Sequence, residues 1–180
     1  MELVVLRLGH RRARDKRATT HVGLAARALG ADRIIITGDK DEALVDSIQR
    51  VADRWGGDFK VEFRAKWEPA IDEFKEAGYE IIHLTMYGLP FQTRLAKIRK
   101  STRDKLIIVG GEKVPGEVYQ AADYNLSVTS QPHSEIAALA VFLDNFFGGE
   151  ELEKEFSRAR IRVVPQERGK RVLEAGISSA

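Results

Sequence analysis

The feature of this sequence that most limits its fold is the regular alternation of short apolar runs with segments of helical period. Runs rich in Val, Ile and Leu occur at residues 3–8, 33–37, 80–84, 105–109 and 124–128, with a shorter alternating run at 59–63. Apolar side chains recur at helical spacing in residues 20–29, 41–55, 67–77 and 134–147. Strands that alternate with helices pair in parallel and need cover on both faces. The sequence therefore predicts one α/β domain with a mostly parallel sheet and helices on both faces.

The composition narrows the class of protein further. The 180 residues are enough for one buried core, and they include no Cys, which excludes disulfides, thiolate zinc sites and a Cys nucleophile. The four His residues lack the spacing of a metal-binding motif. The N-terminal apolar run is interrupted by Arg7, and the longest apolar run, residues 136–143, is too short to span a bilayer. We therefore expect a cytoplasmic protein with no metal and no membrane segment.

Positive charge is concentrated in two segments, although the formal net charge is only +2. Residues 7–17 hold six basic side chains against one acid, and residues 154–171 hold seven against two. Such clusters either bind phosphate groups or form an ordinary solvated face. The candidate phosphate-binding residues are Arg7, Arg11, Arg12, Arg14, Lys16, Arg158, Arg160 and Arg162.

A mostly parallel sheet also indicates where a ligand would bind, because such sheets bind ligands beyond the C-terminal ends of their strands. The segments that follow the predicted strands there include HLTMYG, GGEKVP and TSQPHS. None of them matches a phosphate-binding, dinucleotide-binding or GxSxG motif. Gly110 and Gly111 suit either a tight turn with positive φ or the close approach of a ligand. An apolar cleft of backbone groups fits a flat ring such as adenine, and a basic arm fits a nucleic acid.

Three stretches of the sequence resemble one family of RNA-modifying enzymes. They are RLGHRRARDKRATTHVGLAARALGA at 7–31, HLTMYG at 83–88 and IIVGGEKVPGEVYQAADYNLSVTSQPHSEIAALAVFLD at 107–144. Together they are similar to the archaeal tRNA ribose 2′-O-methyltransferases that modify the T-loop cytidine at position fifty-six, a family of the SPOUT superfamily. The resemblance implies a trefoil-knotted methyltransferase fold. It places a catalytic domain at residues 1–150 with the knot within 80–147, and a basic C-terminal extension at 151–180.

The resemblance also implies a cofactor, partners and site residues. The cofactor would be S-adenosylmethionine, the methyl acceptor a ribose 2′-hydroxyl of tRNA, and the working form a homodimer whose site is completed across the interface. Resemblance favours Arg17 as the residue that handles the hydroxyl proton, whereas acid–base chemistry favours His21. The cofactor-binding positions would be Leu84, Gly110, Gly111, Glu112, Lys113, Val114, Val128, Thr129, Ser130, Gln131, Pro132, His133, Ser134 and Glu135. Many relatives have Asn at the position of Glu135, and the first stretch lacks their Asn pair.

Two other functions are compatible with the residues alone. If the paired glycines only form a turn, the chain would be a non-enzymatic RNA-binding module on an α/β scaffold. If the arginines clamp a carboxylate or phosphate, it would be an enzyme for a small anionic metabolite. Binding of S-adenosylmethionine would exclude the first of these, and affinity for tRNA at low salt would exclude the second.

Overall fold

A computed structural model of the chain describes residues 1–111 and 113–174. Its main body is a six-stranded sheet in the order β3-β2-β1-β5-β4-β6, and every pairing in that sheet is parallel. The prediction of a mostly parallel sheet is confirmed. The strands are β1 (Leu3–His10), β2 (Arg33–Gly38), β3 (Lys60–Arg64), β4 (Glu80–Pro90), β5 (Lys105–Val109) and β6 (Tyr124–Ser127).

Helices cover both faces of the sheet, as the sequence predicts. Helices α1, α2, α4 and α6 pack in one apolar cluster, and α3 and α5 pack in the other. A short 3₁₀ turn at Glu150–Glu153 follows the last helix, and a separate antiparallel hairpin of β7 (Ile161–Val164) and β8 (Arg171–Glu174) comes after it. The helices are α1 (Lys16–Ala28), α2 (Glu42–Trp55), α3 (Glu68–Glu76), α4 (Gln92–Lys100), α5 (Gly116–Ala121) and α6 (Glu135–Phe147).

Strand β1 shows why the sheet is buried on both sides. Successive side chains of a strand point to opposite faces. Leu3 and Val5 accordingly join the cluster under α1 and α6, whereas Val4, Leu6 and Leu8 join the cluster under α3 and α5. All five are buried. A strand whose consecutive apolar residues are buried on both faces, as at residues 3–6, has to lie in the middle of a sheet with two covered faces.

The ends of the helices agree with the sequence in two cases and differ in one. Asp41 caps α2 by accepting a hydrogen bond from the Leu44 amide, and Ser134 caps α6 by accepting one from the Ala137 amide. Helix α1 begins at Lys16, four residues before the Thr20 start that the sequence indicated, and no side chain among the described residues caps it. The predicted loop after β1 is therefore shorter, because its last residues already belong to the helix.

Strand β4 is longer than predicted. The segment HLTMYG was expected to be a loop, but β4 continues through it to Pro90. Both Leu84 and Leu89 pair with Leu126 of β6. Residues 85–88 between them have no partner in β6 and form an irregular segment of the strand. Irregularities of this kind redirect side chains away from the sheet and are common beside active sites.

The C-terminal hairpin follows a segment that docks on the end of α2 through main-chain hydrogen bonds. The Gly57 amide donates to the Ser157 carbonyl over 2.8 Å, and the Arg160 amide donates to the Arg54 carbonyl over 3.0 Å. The division into residues 1–150 and 151–180 stays a prediction. Across the described ranges, no helix combines the length and the apolar character that a membrane span requires.

Candidate active site

A cavity of about 300 Å³ lies at the C-terminal ends of β4 and β5, where a parallel sheet is expected to bind ligands. Its walls come from the irregular part of β4, the segment after β5, helix α5 and the start of α6. The lining residues are His83, Leu84, Thr85, Met86, Tyr87, Gly110, Gly111, Val114, Tyr119, His133, Glu135 and Ala138.

The structure brings six of the predicted cofactor positions together in this cavity: Leu84, Gly110, Gly111, Val114, His133 and Glu135. Lys113, Val128, Thr129, Ser130, Gln131, Pro132 and Ser134 are not among its lining residues, and Glu112 lies outside the described residues. The role of each position in cofactor binding stays a prediction. The sequence pointed to HLTMYG as a functional segment, but only Leu84 of it was assigned, so Thr85, Met86 and Tyr87 were missed.

Two glycines form the part of the wall that follows β5, and neither has a positive φ. The interpretation that they serve only a turn with positive φ is therefore wrong. A Cβ on Gly110 would overlap Cγ2 of Val114, so any other residue at this position would require the Val114 side chain to shift. A Cβ on Gly111 would meet nothing closer than a nitrogen of Arg7 at 3.7 Å, which is ordinary contact. The missing side chain of Gly111 thus leaves the backbone accessible without serving any packing need.

A polar network stiffens the opposite wall. Asn125 donates from Nδ2 to the Tyr119 carbonyl over 2.9 Å, so its Oδ1 faces Nδ1 of His83 at 2.8 Å and accepts from it. The Tyr119 ring meets the His83 ring edge-on at 4.7 Å, and its hydroxyl lies 3.1 Å from Oγ1 of Thr85. Burial lowers the pKa of His83, which keeps the imidazole neutral at physiological pH. His83 is thus a buried imidazole with a hydrogen-bond partner at Nδ1.

Arg7 corrects one of the predicted phosphate contacts. Its side chain is buried, with a relative exposure of 1% for the residue, so it cannot meet an RNA backbone at the surface. One guanidinium nitrogen donates to the Leu8 carbonyl, and the other donates to Oε1 of Glu135 over 2.9 Å. Burial lowers the pKa of Arg7, and the Glu135 charge opposes that shift. Arg7 therefore ties the end of β1 to the first residue of α6 directly behind the cavity.

The other predicted phosphate-binding residues are exposed, and their contacts with tRNA stay predictions. Arg11 pairs with Asp15 over 2.9 Å, and the hydrogen bond from Arg11 lowers the pKa of that carboxyl. Arg158 pairs with Asp58, and Arg162 pairs with Glu155 over 3.2 Å. Arg12, Arg14, Lys16 and Arg160 are exposed as well.

Helix α4 carries a basic surface that the sequence analysis missed. Its nine residues include no acid, and only Ile98 is buried. The basic side chains Arg94, Lys97, Arg99 and Lys100 are all exposed. The segment has few apolar residues and a weak helical pattern, so periodicity did not mark it. A count of charge along QTRLAKIRK would have found it.

The two candidates for handling the proton lie on α1. Arg17 and His21 are one helical turn apart on an exposed face, and neither lines the cavity of its own chain. Their catalytic roles stay predictions. Within residues 1–111 and 113–174, no three His, Asp or Glu side chains are grouped as metal ligands.

Known structures with the same architecture are RNA methyltransferases. The chain superposes on the TrmH/SpoU tRNA modifying enzyme of A. aeolicus with a TM-score of 0.59 at 14% identity, covering 83% of this chain and 76% of that one. It superposes on an AdoMet-bound rRNA methyltransferase of Sinorhizobium meliloti with a TM-score of 0.62 at 16% identity, covering 83% and 56%. The fold is therefore that of the SpoU/TrmH class.

Sequence comparison narrows the class to one family. A family model described as tRNA ribose 2′-O-methyltransferase, aTrm56, matches residues 55–173. The tRNA (cytidine(56)-2′-O)-methyltransferase of Thermococcus kodakarensis is 54% identical, covering 96% of this chain and 97% of that protein. The protein of the same name from Methanopyrus kandleri is 53% identical, covering 94% of each. The chain belongs to the tRNA ribose 2′-O-methyltransferase family, which confirms the resemblance seen in the sequence.

Proposed function

We propose that this chain transfers a methyl group from S-adenosylmethionine to the ribose 2′-hydroxyl of cytidine 56 in tRNA. The observation that carries the proposal is the 54% identity, over nearly the whole chain, to a protein named for this reaction. The position of the cavity supports it, because the cavity lies where the segments that resemble the family meet. We also infer that the chain within residues 80–147 forms a trefoil knot, because the fold is similar to that of the SpoU/TrmH methyltransferases.

The residues around the cavity fit the proposed cofactor. A volume of about 300 Å³ is at the lower end of the range for small-ligand sites. Leu84, Val114 and Ala138 supply apolar walls for a flat ring, and Gly111 leaves room for an approach to the backbone. Glu135 brings a carboxylate to the cavity wall, and its charge is balanced by Arg7. When bound, S-adenosylmethionine supplies a methyl group already activated by its sulfonium, so the protein has to position the acceptor oxygen and remove its proton.

Exposed basic side chains on α4 and around the start of α1 supply positive charge for tRNA phosphates. Screened surface charges contribute little one by one, but together they release counterions from RNA and give steep salt dependence. Few aromatic side chains stand among these residues, which favours recognition of folded tRNA shape over stacking on a single strand.

We infer a homodimer from the resemblance and from apolar side chains exposed on β4 and α6. Tyr87 is 80% exposed and Leu89 55%, both on the irregular end of β4, and Val141 on the outer face of α6 is 40% exposed. Large exposed apolar side chains mark interaction surfaces when they form a patch. A site completed across the interface, as the resemblance implies, would require the α1 helix of the neighbour, with Arg17 and His21, to approach the cavity. Sedimentation of the wild type and of Leu89→Asp tests this, since the variant should be monomeric.

The activity is tested with labelled S-adenosylmethionine and a tRNA transcript. Methyl transfer should map to cytidine 56 by mass spectrometry of the digested product, and a transcript with 2′-deoxycytidine at that position should accept none. Equal labelling of both transcripts would exclude ribose methylation. Calorimetry with millimolar S-adenosylmethionine distinguishes the alternative of a non-enzymatic RNA-binding module, which should give no binding heat.

A further inference from the structure

We propose that His133 accepts the proton of the ribose hydroxyl, so that it acts as a catalytic residue and not only as part of the cofactor site. This inference rests on the methyl transfer proposed above. It differs from the assignments to Arg17 and His21 because it places the base in the same chain as the cavity.

The other titratable side chains lining the described part of the cavity are poorly suited to the task. His83 is fully buried and bonded to Asn125, so a bound polymer cannot reach it. Glu135 is held by the buried guanidinium of Arg7 at 2.9 Å, so one of its oxygens is already hydrogen-bonded. The Tyr119 hydroxyl shares a hydrogen bond with Thr85, and a phenol such as that of Tyr87 has to lose its own proton before it can accept one.

His133 has the geometry that a base requires. The side chain is exposed at the cavity, on the last residue before Ser134 caps α6. Its Nδ1 lies 2.7 Å from the backbone carbonyl of Gln131. A carbonyl oxygen only accepts hydrogen bonds, so Nδ1 of the neutral ring carries the proton and Nε2 is left with a lone pair. A hydrogen bond of this kind to the first nitrogen is how imidazole bases are held in the correct tautomer.

The proposed step balances without a further reactant. The ribose 2′-oxygen forms a bond to the methyl carbon, and the bond from that carbon to sulfur breaks with its electron pair remaining on sulfur. The hydroxyl proton passes to Nε2 of His133, which becomes an imidazolium hydrogen-bonded to the Gln131 carbonyl. Because His133 is exposed, the proton can then leave to water once the product dissociates.

The experiment compares His133→Ala and His133→Gln with the wild type in single-turnover methyl transfer. We expect the rate to fall by roughly 10²–10⁴-fold, the range for loss of a general base, while the affinity for S-adenosylmethionine measured by calorimetry is retained. The wild-type rate should rise with pH, as catalysis by a general base requires, and both variants should lose this rise. Added free imidazole should partly restore His133→Ala, which a purely structural role would not allow.

Matched variants separate the possible outcomes. Glu76→Ala changes an exposed residue of α3 and is the control for variant expression and purification. Its rate and affinity should equal those of the wild type. If His133→Ala keeps both the wild-type rate and its pH profile, the inference is overturned while the methyltransferase function stands. If Arg17→Ala, His21→Ala or Glu112→Gln removes the pH-dependent rise and the His133 variants keep it, the inference is likewise overturned. Failure of the wild type to methylate tRNA would overturn the proposed function itself.

Discussion

Alanine substitutions at the two neighbouring glycines after β5 should affect different properties. Gly110→Ala should lower stability, whereas Gly111→Ala should weaken cofactor binding. In Gly110→Ala the new methyl group overlaps Cγ2 of Val114, whereas the next atom, Cβ of Val114, lies at 3.7 Å. In Gly111→Ala the nearest atom is a guanidinium nitrogen of Arg7 at 3.7 Å. The substitution is the same at both positions and neither has a positive φ, so the surroundings alone distinguish the two variants.

The geometry sets the expected magnitudes. Overpacking a well-packed site costs about 1–3 kcal/mol. Val114 is only half-buried and can rotate away, so Gly110→Ala should lower the free energy of unfolding by an amount near the lower end of that range. Gly111→Ala meets no overlap and also restricts the unfolded chain, so its free energy of unfolding should stay within about 0.5 kcal/mol of the wild type.

Cofactor affinity should fall in Gly111→Ala more than in Gly110→Ala. If S-adenosylmethionine approaches the backbone at Gly111, a methyl group there displaces it, and a loss of about 1.4 kcal/mol corresponds to a tenfold weaker Kd. Urea unfolding measures stability, and calorimetry measures affinity. Gly116→Ala, where a Cβ meets nothing within 4 Å, is the control.

Two results would refute this reasoning. Wild-type affinity in Gly111→Ala would mean that the ligand does not approach the backbone there. Wild-type stability in Gly110→Ala would mean that Val114 does not constrain the segment.

Three other perturbations address the buried pair, the basic helix and an alkaline titration. Arg7→Met leaves Glu135 without its cation and should cost about 2–4 kcal/mol in urea unfolding, somewhat below a fully buried pair because the Glu135 side chain is 20% exposed. A stability equal to that of the wild type would contradict this. Lys97→Glu on α4 should weaken tRNA binding and reduce the slope of log K against log salt by about 0.9 per lost phosphate contact, and an unchanged slope would remove α4 from the interface. Burial, followed by the hydrogen bond to Glu2, raises the pKa of Tyr79 to about 12. The folded protein therefore keeps a proton that the unfolded chain releases above its ordinary pKa of about 10, so stability should be constant below that pH and fall as the pH rises towards 12. Tyr79→Phe should abolish that decline, as followed by tyrosinate absorbance and unfolding.

The parts of the fold that local sequence determines were predicted well. Strand β5 has its predicted bounds, and β2 ends one residue beyond its predicted end. Both were predictable because a continuous apolar run between polar flanks allows few other conformations. The caps at Asp41 and Ser134 are short-range hydrogen bonds, and they fixed the starts of α2 and α6.

The errors occur where distant residues decide the structure. The end of β4 looks like a loop, with Gly88 and few apolar residues in a row, and only its pairing with β6 keeps it extended. Arg7 looks like a surface cation in a basic segment, but its partner Glu135 lies 128 positions away. The same limit applies to the cavity: the sequence marked the two glycines, whereas Tyr119 enters through the packing of α5 against β4.

The outer strands of the sheet bear on how copies of the protein can associate. Strand β3 at one border carries Lys60, Glu62 and Arg64, and β6 at the other has only four residues. Charged or very short border strands resist hydrogen bonding to a foreign strand, which is the first step of fibril growth. Two copies are therefore not expected to associate by pairing their edge strands into one continuous sheet. A stable dimer has to use an interface of side chains, and the backbone hydrogen-bonding groups of the edge strands stay protected from aggregation.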